Sequence, residues 1–390
     1  MKLSFDNTEI AFAHKSNAEL KKAYWLFKLV GSPALVKFGK VSVGLALKLR
    51  IPIGWAMRNN IFAQFCGGES IADCAQTTQV LDKGNVGTIL DYSVEGKESS
   101  EDFERTTQEI LRTVETANDN IHIPFCVFKT TGISRFSLLE KVNANAELSQ
   151  EEQAEFEGVK TRMDRIAKRA FETGTPVFID AEESWIQDAI DDMAHELMAK
   201  YNKERVIVYN TVQLYRHDRL AFLQDAIAEA KSKGYHYGVK LVRGAYMEKE
   251  RDRAEERGYQ DPIQPNKEAS DKDFDAAVKL CIDEIEHVAV VAGSHNEASS
   301  KALAELMIER NIAKDDKRVY FAQLFGMSDH ISFNLSHAGF NVAKYVPYGP
   351  IREVIPYLIR RAEENTSVKG QTGRELSLIQ REIQRRKGRR

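Results

Sequence analysis

The 390-residue sequence is poor in several features that would narrow its function at once. It has only four cysteines and no C-x-x-C pair, so neither a disulfide framework nor a zinc site is expected, and the thiols should be reduced and mostly buried. No G-x-G-x-x-G or G-x-x-x-x-G-K-[ST] motif follows a predicted strand, which removes the usual fingerprints of dinucleotide and P-loop sites. A net charge of −3 argues against a general nucleic-acid binder.

A long uninterrupted apolar run is also missing. The most apolar early stretch, residues 35–57, contains Lys37, Lys40, Lys48 and Arg50, too many charges for a spanning helix of about 20 residues. We expect helices packed on the main domain there, with membrane-surface contact as the alternative. No secretory pattern opens the chain. The sequence therefore predicts a cytoplasmic protein, peripheral on the inner face of the cytoplasmic membrane.

The C-terminal sequence "REIQRRKGRR", residues 381–390, is strongly basic. Such a segment is typical either of a solvated helix end or of contact with an anionic membrane surface. Together with the patterns described next, it leads us to expect three regions. They are an N-terminal helical arm (1–84), a catalytic barrel (85–370) and a basic C-terminal tail (371–390).

From about residue 85 onwards, short β-branched or aromatic runs alternate with longer charged segments of helical pattern. The runs are "VGTILDYSVE", "IPFCVFKTTG", "TPVFIDAEE", "RVIVYNTVQLY", "YGVKLVRGAY", "VAVVAGSHN", "VYFAQLFG" and "VAKYVPYG". A strand followed by a helix, repeated about eight times, predicts parallel strands with helical crossovers. The count favours an α/β fold of the closed (β/α)8 TIM-barrel type, with an N-terminal helical extension, over an open doubly wound sheet.

Polar residues end these runs, at the point where a (β/α)8 barrel places its chemistry. They are Lys129, Asp180, Glu182, Glu183, Gln213, Lys240, Arg243, Tyr246, His295, Asn296, Gln323 and Tyr345. A single residue of these types at a strand end is more often solvated, or hydrogen-bonded to the backbone, than part of an active site. Their convergence at one end of a barrel predicts a small-molecule enzyme whose substrate carries a carboxylate or phosphate.

Two other chemistries fit some of the same residues. A strand-end lysine is suited to a Schiff base, as in aldolases, and the acids of "DAEE" with His295 offer ligands for a divalent metal. Against the aldolase, the lysines lie beside charged partners rather than in an apolar pocket. Against the metal, no pair of histidines is spaced as ligands, so we expect no metal site.

The stretch "YLIRRAEEN", residues 357–365, places two arginines side by side between a tyrosine and two acids. In a helix, Glu364 lies one turn from Arg360 and Arg361, which suits ordinary surface ion pairs. Alternatively, these side chains form one polar face with Tyr357, and the two planar guanidiniums bind a carboxylate or phosphate through paired hydrogen bonds.

With these motifs assembled, the chain resembles the proline dehydrogenases, flavoenzymes that oxidise L-proline to Δ1-pyrroline-5-carboxylate. The resemblance covers roughly residues 60–370. It is strongest in the spacing of Tyr, Arg-Arg and Glu in "YLIRRAEEN". The supporting motifs, in the family's order, are "FIDAEE", "VQLY", "KLVRGAY", "SHN", "AQLFGM" and "YVPYG".

The resemblance implies a substrate pocket. Arg360 and Arg361 match the pair that binds the proline carboxylate, and Asp180 matches the acidic residue near the substrate amine. Lys129 completes the expected catalytic set. The remaining substrate-binding matches are Leu241, Tyr246, Tyr345, Tyr357 and Glu364.

The resemblance also implies FAD, held without a covalent bond, that takes a hydride from C5 of the substrate at flavin N5. A missing side chain at Gly244 would let the backbone approach a ring or a pyrophosphate closely. The cofactor-binding matches are Asp180, Gln213, Lys240, Val242, Gly244, Ala245, Lys267, His295 and Gln323.

This reaction is the first step of proline catabolism, with ubiquinone or menaquinone as the electron acceptor. Because the chain lacks the long extensions of bifunctional relatives, we expect hand-off of the product to a separate pyrroline-5-carboxylate dehydrogenase. The nearest alternative is oxidation of 4-hydroxyproline, disfavoured because the ring of Tyr345 would crowd a C4 substituent. The alternatives of another class are the aldolase and a carboxylate-binding barrel without catalysis.

Overall fold

The computed structural model describes most of the chain. The described ranges are 3–32, 58–94, 98–367 and 371–388, with residues 34, 36, 37, 39 and 42. Most of the apolar stretch 35–57, and the prediction of packed helices there, lies outside the described residues. Within the ranges that are described, no helix is both long and apolar enough to cross a bilayer.

All eight predicted strands form. They are β1 (Gly87–Tyr92), β2 (Phe125–Lys129), β3 (Val177–Asp180), β4 (Val208–Gln213), β5 (Tyr237–Val242), β6 (Val288–Gly293), β7 (Val319–Leu324) and β8 (Val342–Tyr348). The strands are joined in chain order into a closed barrel, and the described pairings are parallel. The (β/α)8 barrel predicted from the sequence is therefore confirmed.

Helices precede, separate and follow the strands. They are α1 (Thr8–Ala11), α2 (Asn17–Val30), α3 (Ala63–Phe65), α4 (Ile71–Asp82), α5 (Ser100–Asn118), α6 (Phe136–Asn143), α7 (Gln150–Thr173), α8 (Ser184–Tyr201), α9 (Arg219–Lys233), α10 (Met247–Arg257), α11 (Lys267–Asp283), α12 (Glu297–Glu309), α13 (Asp329–His337), α14 (Ile351–Ser367) and α15 (Gln371–Gly388). A π-helical turn, Arg58–Phe62, leads into α3, and a 3₁₀ turn, Thr130–Gly132, follows β2.

The strands are buried on both faces, as expected when helices cover a parallel sheet. Every residue of β4 and β8 is buried. The rings of Phe125 on β2 and Tyr320 on β7 lie with centroids 4.8 Å apart, and Phe125 stacks on Phe178 of β3 at 4.6 Å. Since β2 and β7 are not neighbouring strands, these rings meet inside the barrel, where side chains fill the interior.

Local sequence signals set the helix ends. Ser70 with Asp73, and Ser149 with Glu152, form reciprocal capping boxes at the starts of α4 and α7. At the other end of α7, Gly174 adopts a left-handed φ of 74°, a conformation that glycine tolerates without steric cost.

The chain divides into two compact units. One comprises Met1–Ser93 with Gln323–Arg390, and the other Val94–Ala322. The first contains β1, β8, the N-terminal helices and the last helices, and the second contains β2 to β6. The three regions expected from the sequence, with boundaries after residues 84 and 370, stay a prediction.

In the first unit, the basic C-terminal helix is bound to the N-terminal segment. Arg386 donates to the backbone oxygens of Phe12 and Lys15, at 2.8 Å each, and to Glu382 at 2.7 Å. The carboxylate of Glu382 is fully buried and also accepts from Arg385. These basic side chains are therefore neutralised within the fold rather than spread through solvent.

A buried ionic cluster lies beside β8 in the same unit. Asp329, at the start of α13, pairs with the fully buried Lys344 at 2.8 Å, with Lys15 at 3.2 Å and with His14 at 3.4 Å. Burial acts to raise the pKa of Asp329, but the charges of Lys344 and Lys15 outweigh it and hold the pKa well below its usual range. This carboxylate joins the N-terminal segment to the barrel strand.

Candidate active site

In the second unit, charged side chains meet at the carboxyl ends of β2, β3 and β5. Lys129 and Asp180 end β2 and β3 and are partners in the strand register. The ammonium of Lys240 donates to Oδ1 of Asp180 and lies 5.5 Å from the ring centroid of Phe178. Because both side chains of the Lys240–Asp180 pair are largely buried, separating them would leave an uncompensated charge.

Glu182, two residues after β3, is almost completely buried and braces these strand ends. Its carboxylate accepts hydrogen bonds from the backbone N–H, at 3.0 Å, and the hydroxyl of Thr131, in the turn after β2. Burial raises the pKa of Glu182 to about 7, with Glu183 adding to the rise and Lys129 and Thr131 opposing it. The sequence offered this acid only as a possible metal ligand, since nothing in "DAEE" distinguishes a buried carboxylate from an exposed one.

Gln213 is the last residue of β4, and only the nitrogen of its side-chain amide is hydrogen-bonded within the protein. Nε2 donates to the backbone oxygen of Glu182 at 3.1 Å, whereas the buried Oε1 has no hydrogen-bond partner in the structure. A buried acceptor without a partner is costly to the folded state. It is the arrangement expected of a side chain that completes its bonding with a bound group.

The end of β5 and the loop that follows it carry several of the predicted site residues. Leu241 is fully buried in the strand, Val242 and Tyr246 are half-buried, and Gly244 and Ala245 are exposed. Gly244 has a φ of 141°, and a Cβ there would lie 2.3 Å from the ring of Tyr215. Glycine is therefore required at 244 by a neighbouring ring of the protein itself.

Arg243 fixes this loop to α11, to the residue after β6 and to α12. Its guanidinium donates to Asp271 at 2.6 Å and to the hydroxyls of Ser294 and Ser299 at 2.9 Å each. Lys267, expected to contact the cofactor, is exposed and pairs with the same carboxylate of Asp271. Arg243 was recognised as a strand-end residue, but its partners on α11 and α12 lie too far along the chain to be read from a motif.

Two further predicted cofactor residues lie near the carboxyl ends of β6 and β7. His295, two residues beyond β6, is half-buried. Gln323, in β7, is buried and accepts from Ser332 of α13 at 2.8 Å through Oε1. That bond fixes which way the amide of Gln323 points.

In the first unit, α14 presents the arginine pair. Arg361 is 7% exposed and its Cζ lies 5.1 Å from the ring centroid of Tyr357, a cation–π contact. Arg360 is half-buried, and Tyr345, in β8, is buried. Glu364 lies in α14, and its side chain is outside the described residues. A buried guanidinium stacked on a tyrosine is not the exposed surface charge that the simpler interpretation of this motif implied.

These residues supply donors, acceptors and charges suited to a small anionic substrate and a polar cofactor. In the described part of the chain, no group of three or more His, Cys, Asp or Glu side chains is arranged to hold a metal ion. All four cysteines are buried free thiols, as predicted. The side-chain nitrogen of Lys240 is bound to Asp180, whereas a Schiff-base lysine must present its nitrogen to a carbonyl substrate.

Comparison with known proteins identifies the family. The family described as proline dehydrogenase matches residues 74–374, a range that includes every barrel strand and both arginines of α14. "Proline dehydrogenase 1, mitochondrial" of Caenorhabditis elegans is 42% identical over 244 residues, 61% of this chain and 40% of that protein. The protein of the same name from Dictyostelium discoideum is 30% identical over 431 residues, 99% of this chain and 75% of that protein.

Among solved structures, proline utilization A from Bdellovibrio bacteriovorus, inactivated by N-propargylglycine, superposes with a TM-score of 0.73 at 20% identity. The superposition covers 92% of this chain and 38% of that one, and at this identity it shows the fold alone. The match to the Caenorhabditis elegans relative likewise spans about two fifths of that protein's length. On the family match, this chain belongs to the proline dehydrogenase family.

Proposed function

We propose that this chain oxidises L-proline to Δ1-pyrroline-5-carboxylate with FAD as its cofactor. The observation that supports this most is the family match over residues 74–374. It includes the buried charges at the ends of β2, β3 and β5 and the arginine pair on α14. Steady-state oxidation of L-proline by the purified protein, with a soluble quinone as acceptor, tests the proposal, and no turnover after addition of FAD would contradict it.

Arg360 and Arg361 bind the carboxylate of proline in this proposal. Guanidiniums donate paired hydrogen bonds to a planar carboxylate, and each such bond contributes more when water is excluded. The burial of Arg361 and its stacking on Tyr357 limit the rotamers available to that side chain. Folding has therefore already ordered this guanidinium, and binding the substrate costs little further side-chain entropy. Glu364, one turn further along α14, would orient the pair.

Asp180 and Lys129 act on the amine end of the substrate. The carboxylate of Asp180 is held in place by the ammonium of Lys240, so it can face a cationic amine without swinging away. The pair also keeps the local charge balanced once the amine has lost its proton. Lys129, next to Asp180 in the register, adds a positive charge close to Glu182.

The chain's residues fit a flavin. Gln213 offers a buried acceptor that lacks a partner, and the loop 242–246 presents exposed backbone at Gly244 and Ala245. When bound, FAD supplies a two-electron acceptor for the hydride that leaves C5 of proline. The groups that would hold it are Asp180, Gln213, Lys240, Val242, Gly244, Ala245, Lys267, His295 and Gln323.

Proline is the preferred substrate over 4-hydroxyproline in this proposal. Tyr345 is 7% exposed and lies in the middle of β8, where neighbouring strands restrict its movement. Its ring would crowd a substituent on C4, and its hydroxyl would hydrogen-bond within the pocket. Comparable catalytic efficiency on the two substrates would overturn the preference.

Electrons pass to a membrane quinone, ubiquinone or menaquinone, in this proposal, and the product goes to a separate pyrroline-5-carboxylate dehydrogenase. The exposed face of α2 supports contact with a membrane surface. Trp25 is 59% and Leu29 51% exposed on this face, and the ammonium of Lys28 lies 5.0 Å from the Trp25 ring centroid. Apolar side chains beside lysines are typical of helices that bind anionic membrane surfaces. Sedimentation with anionic vesicles, lost in Trp25→Ala, would support this contact, and equal binding by both proteins would refute it.

A further inference from the structure

Helix α8 receives its N-terminal cap from another helix. It begins at Ser184, directly after the segment that carries Asp180, and its own N-cap residue, Glu183, makes no capping bond with its side chain. Instead, the carboxylate of Glu250 accepts from the backbone N–H of Ser184 at 2.7 Å and from its hydroxyl at 2.6 Å. A carboxylate at a helix N-terminus is favoured by both the unpaired N–H groups and the helix dipole.

Glu250 lies in the first turn of α10, which follows the loop after β5. Its backbone N–H donates to the backbone oxygen of Tyr246 at 2.9 Å. One residue thus connects Tyr246, on one side, to the segment after Asp180, on the other. Ser184 and Glu250 are 66 residues apart in the sequence.

Few side chains of helix α10 are buried. Only Glu250 and Ala254 are buried along its length, and its sequence is "MEKERDRAEER". Its other contacts with the α8 region include an ion pair between Lys249 and Glu183 and the packing of Arg253 over the Trp185 ring at 4.3 Å. Elsewhere, Arg253 pairs with Glu140 of α6 and Arg251 pairs with Asp261 at 3.3 Å. Lys249 is 57% exposed, where an ion pair contributes little. Glu250 is the only buried charged side chain of α10.

We propose that Glu250 is a positioning residue for the reaction, a latch that holds α10, and with it Tyr246 and the preceding loop, against the start of α8. The effect on turnover rests on the proposed function, but the latch itself does not. Releasing it would loosen residues 244–246, beyond the bonds that hold Arg243, without removing any residue expected to touch the substrate. Binding of proline should therefore weaken while the folded core persists.

The test compares Glu250→Ala and Glu250→Gln with Glu248→Ala, an exposed acid on the same helix. Amide hydrogen exchange is followed in peptides that cover 182–190 and 244–257, with α9 as an internal reference. Loss of a charge-assisted bond pair should speed exchange in both peptides by about tenfold or more in Glu250→Ala. Glutamine keeps an acceptor for the Ser184 N–H, so Glu250→Gln should show a smaller change. Glu248→Ala should match the wild type.

Kinetics supply the second measurement. We expect KM for proline to rise about fivefold or more in Glu250→Ala, with a smaller change in kcat and an unchanged flavin content. The proposal would be overturned if Glu250→Ala exchanged no faster than Glu248→Ala. It would also be overturned if exchange were faster but KM stayed within about twofold of the wild type. If Glu250→Ala does not fold, Glu250→Gln and Ser184→Ala decide by the same criteria. A wild type inactive on proline would refute the proposed function, and exchange would still decide whether the latch exists.

Discussion

Glu182→Gln should remove a pH-dependent cost of folding. Burial raises the pKa of this carboxyl from 4.5 to about 7 in the folded protein. Between these two pH values the folded state keeps a proton that the unfolded state loses. A raised carboxyl pKa therefore lowers the free energy of unfolding as pH rises through this window. The difference corresponds to about 3 kcal/mol, at about 1.4 kcal/mol per pH unit.

The glutamine variant lacks this titration. Its carbonyl can still accept from the N–H of Thr131, and its amide can donate to the Thr131 hydroxyl, so the brace between β2 and β3 should persist. As pH rises from about 4.5 to about 8, the unfolding free energy of Glu182→Gln should therefore increase by about 3 kcal/mol relative to that of the wild type.

The assay is urea denaturation, followed by circular dichroism, at a series of pH values. Glu157→Gln is the matched control because it makes the same substitution at an exposed acid, on α7, and Glu182→Gln is compared with it at each pH. A Glu182→Gln difference that stays constant across the series would refute the reasoning. It would mean that this carboxyl is ionised at an ordinary pKa in the folded protein.

Four other substitutions test the carboxylate clamp, the buried ionic cluster and the substrate preference. Arg360→Ala and Arg361→Ala should each weaken proline binding by about tenfold or more while flavin content is kept, because a charge-assisted bond contributes about 1.5 to 3 kcal/mol; wild-type KM values would remove the carboxylate clamp. Asp329→Asn should destabilise the fold by about 3 to 5 kcal/mol in urea, since Lys344 would stay buried without its counter-charge; a loss below about 1 kcal/mol would contradict this. Tyr345→Ala should raise the ratio of kcat/KM for trans-4-hydroxyproline to that for proline by about tenfold, and an unchanged ratio would show that the ring is not the filter.

The barrel was predictable because its signals are local. Each strand is a short β-branched or aromatic run, and the fully buried β4 is one of them, "VYNTVQ". Parallel strands covered on both faces need such runs, and the helices between them show their own period and caps. Ser149 and Glu152, for example, mark the start of α7 from the sequence alone.

The contacts around the candidate site could not be predicted in the same way, because they join residues that are distant in sequence. Glu250 and Lys249 reach Ser184 and Glu183 across 66 positions, and no pattern within α10 marks one acid as buried among several. Asp180 has its ion pair with Lys240, 60 residues away. Side-chain burial of this kind depends on how helices pack on the barrel, which a local pattern does not encode.

The contacts of the basic C-terminal helix also could not be predicted from its sequence. Its basic sequence suggested solvent or a membrane surface, yet Arg386 is bound to backbone oxygens near the N-terminus of the chain. Composition describes the number of charges, and only the fold determines which of them are neutralised.

The central claim, that the chain is a flavin-dependent enzyme that acts on proline, is tested most directly by one spectrum. The visible absorption of the purified protein is recorded under anaerobic conditions before and after L-proline is added. The account predicts an oxidised flavin band, present on purification or after addition of FAD, that bleaches with proline. A flavin band indifferent to proline, or no binding of FAD at all, would contradict it.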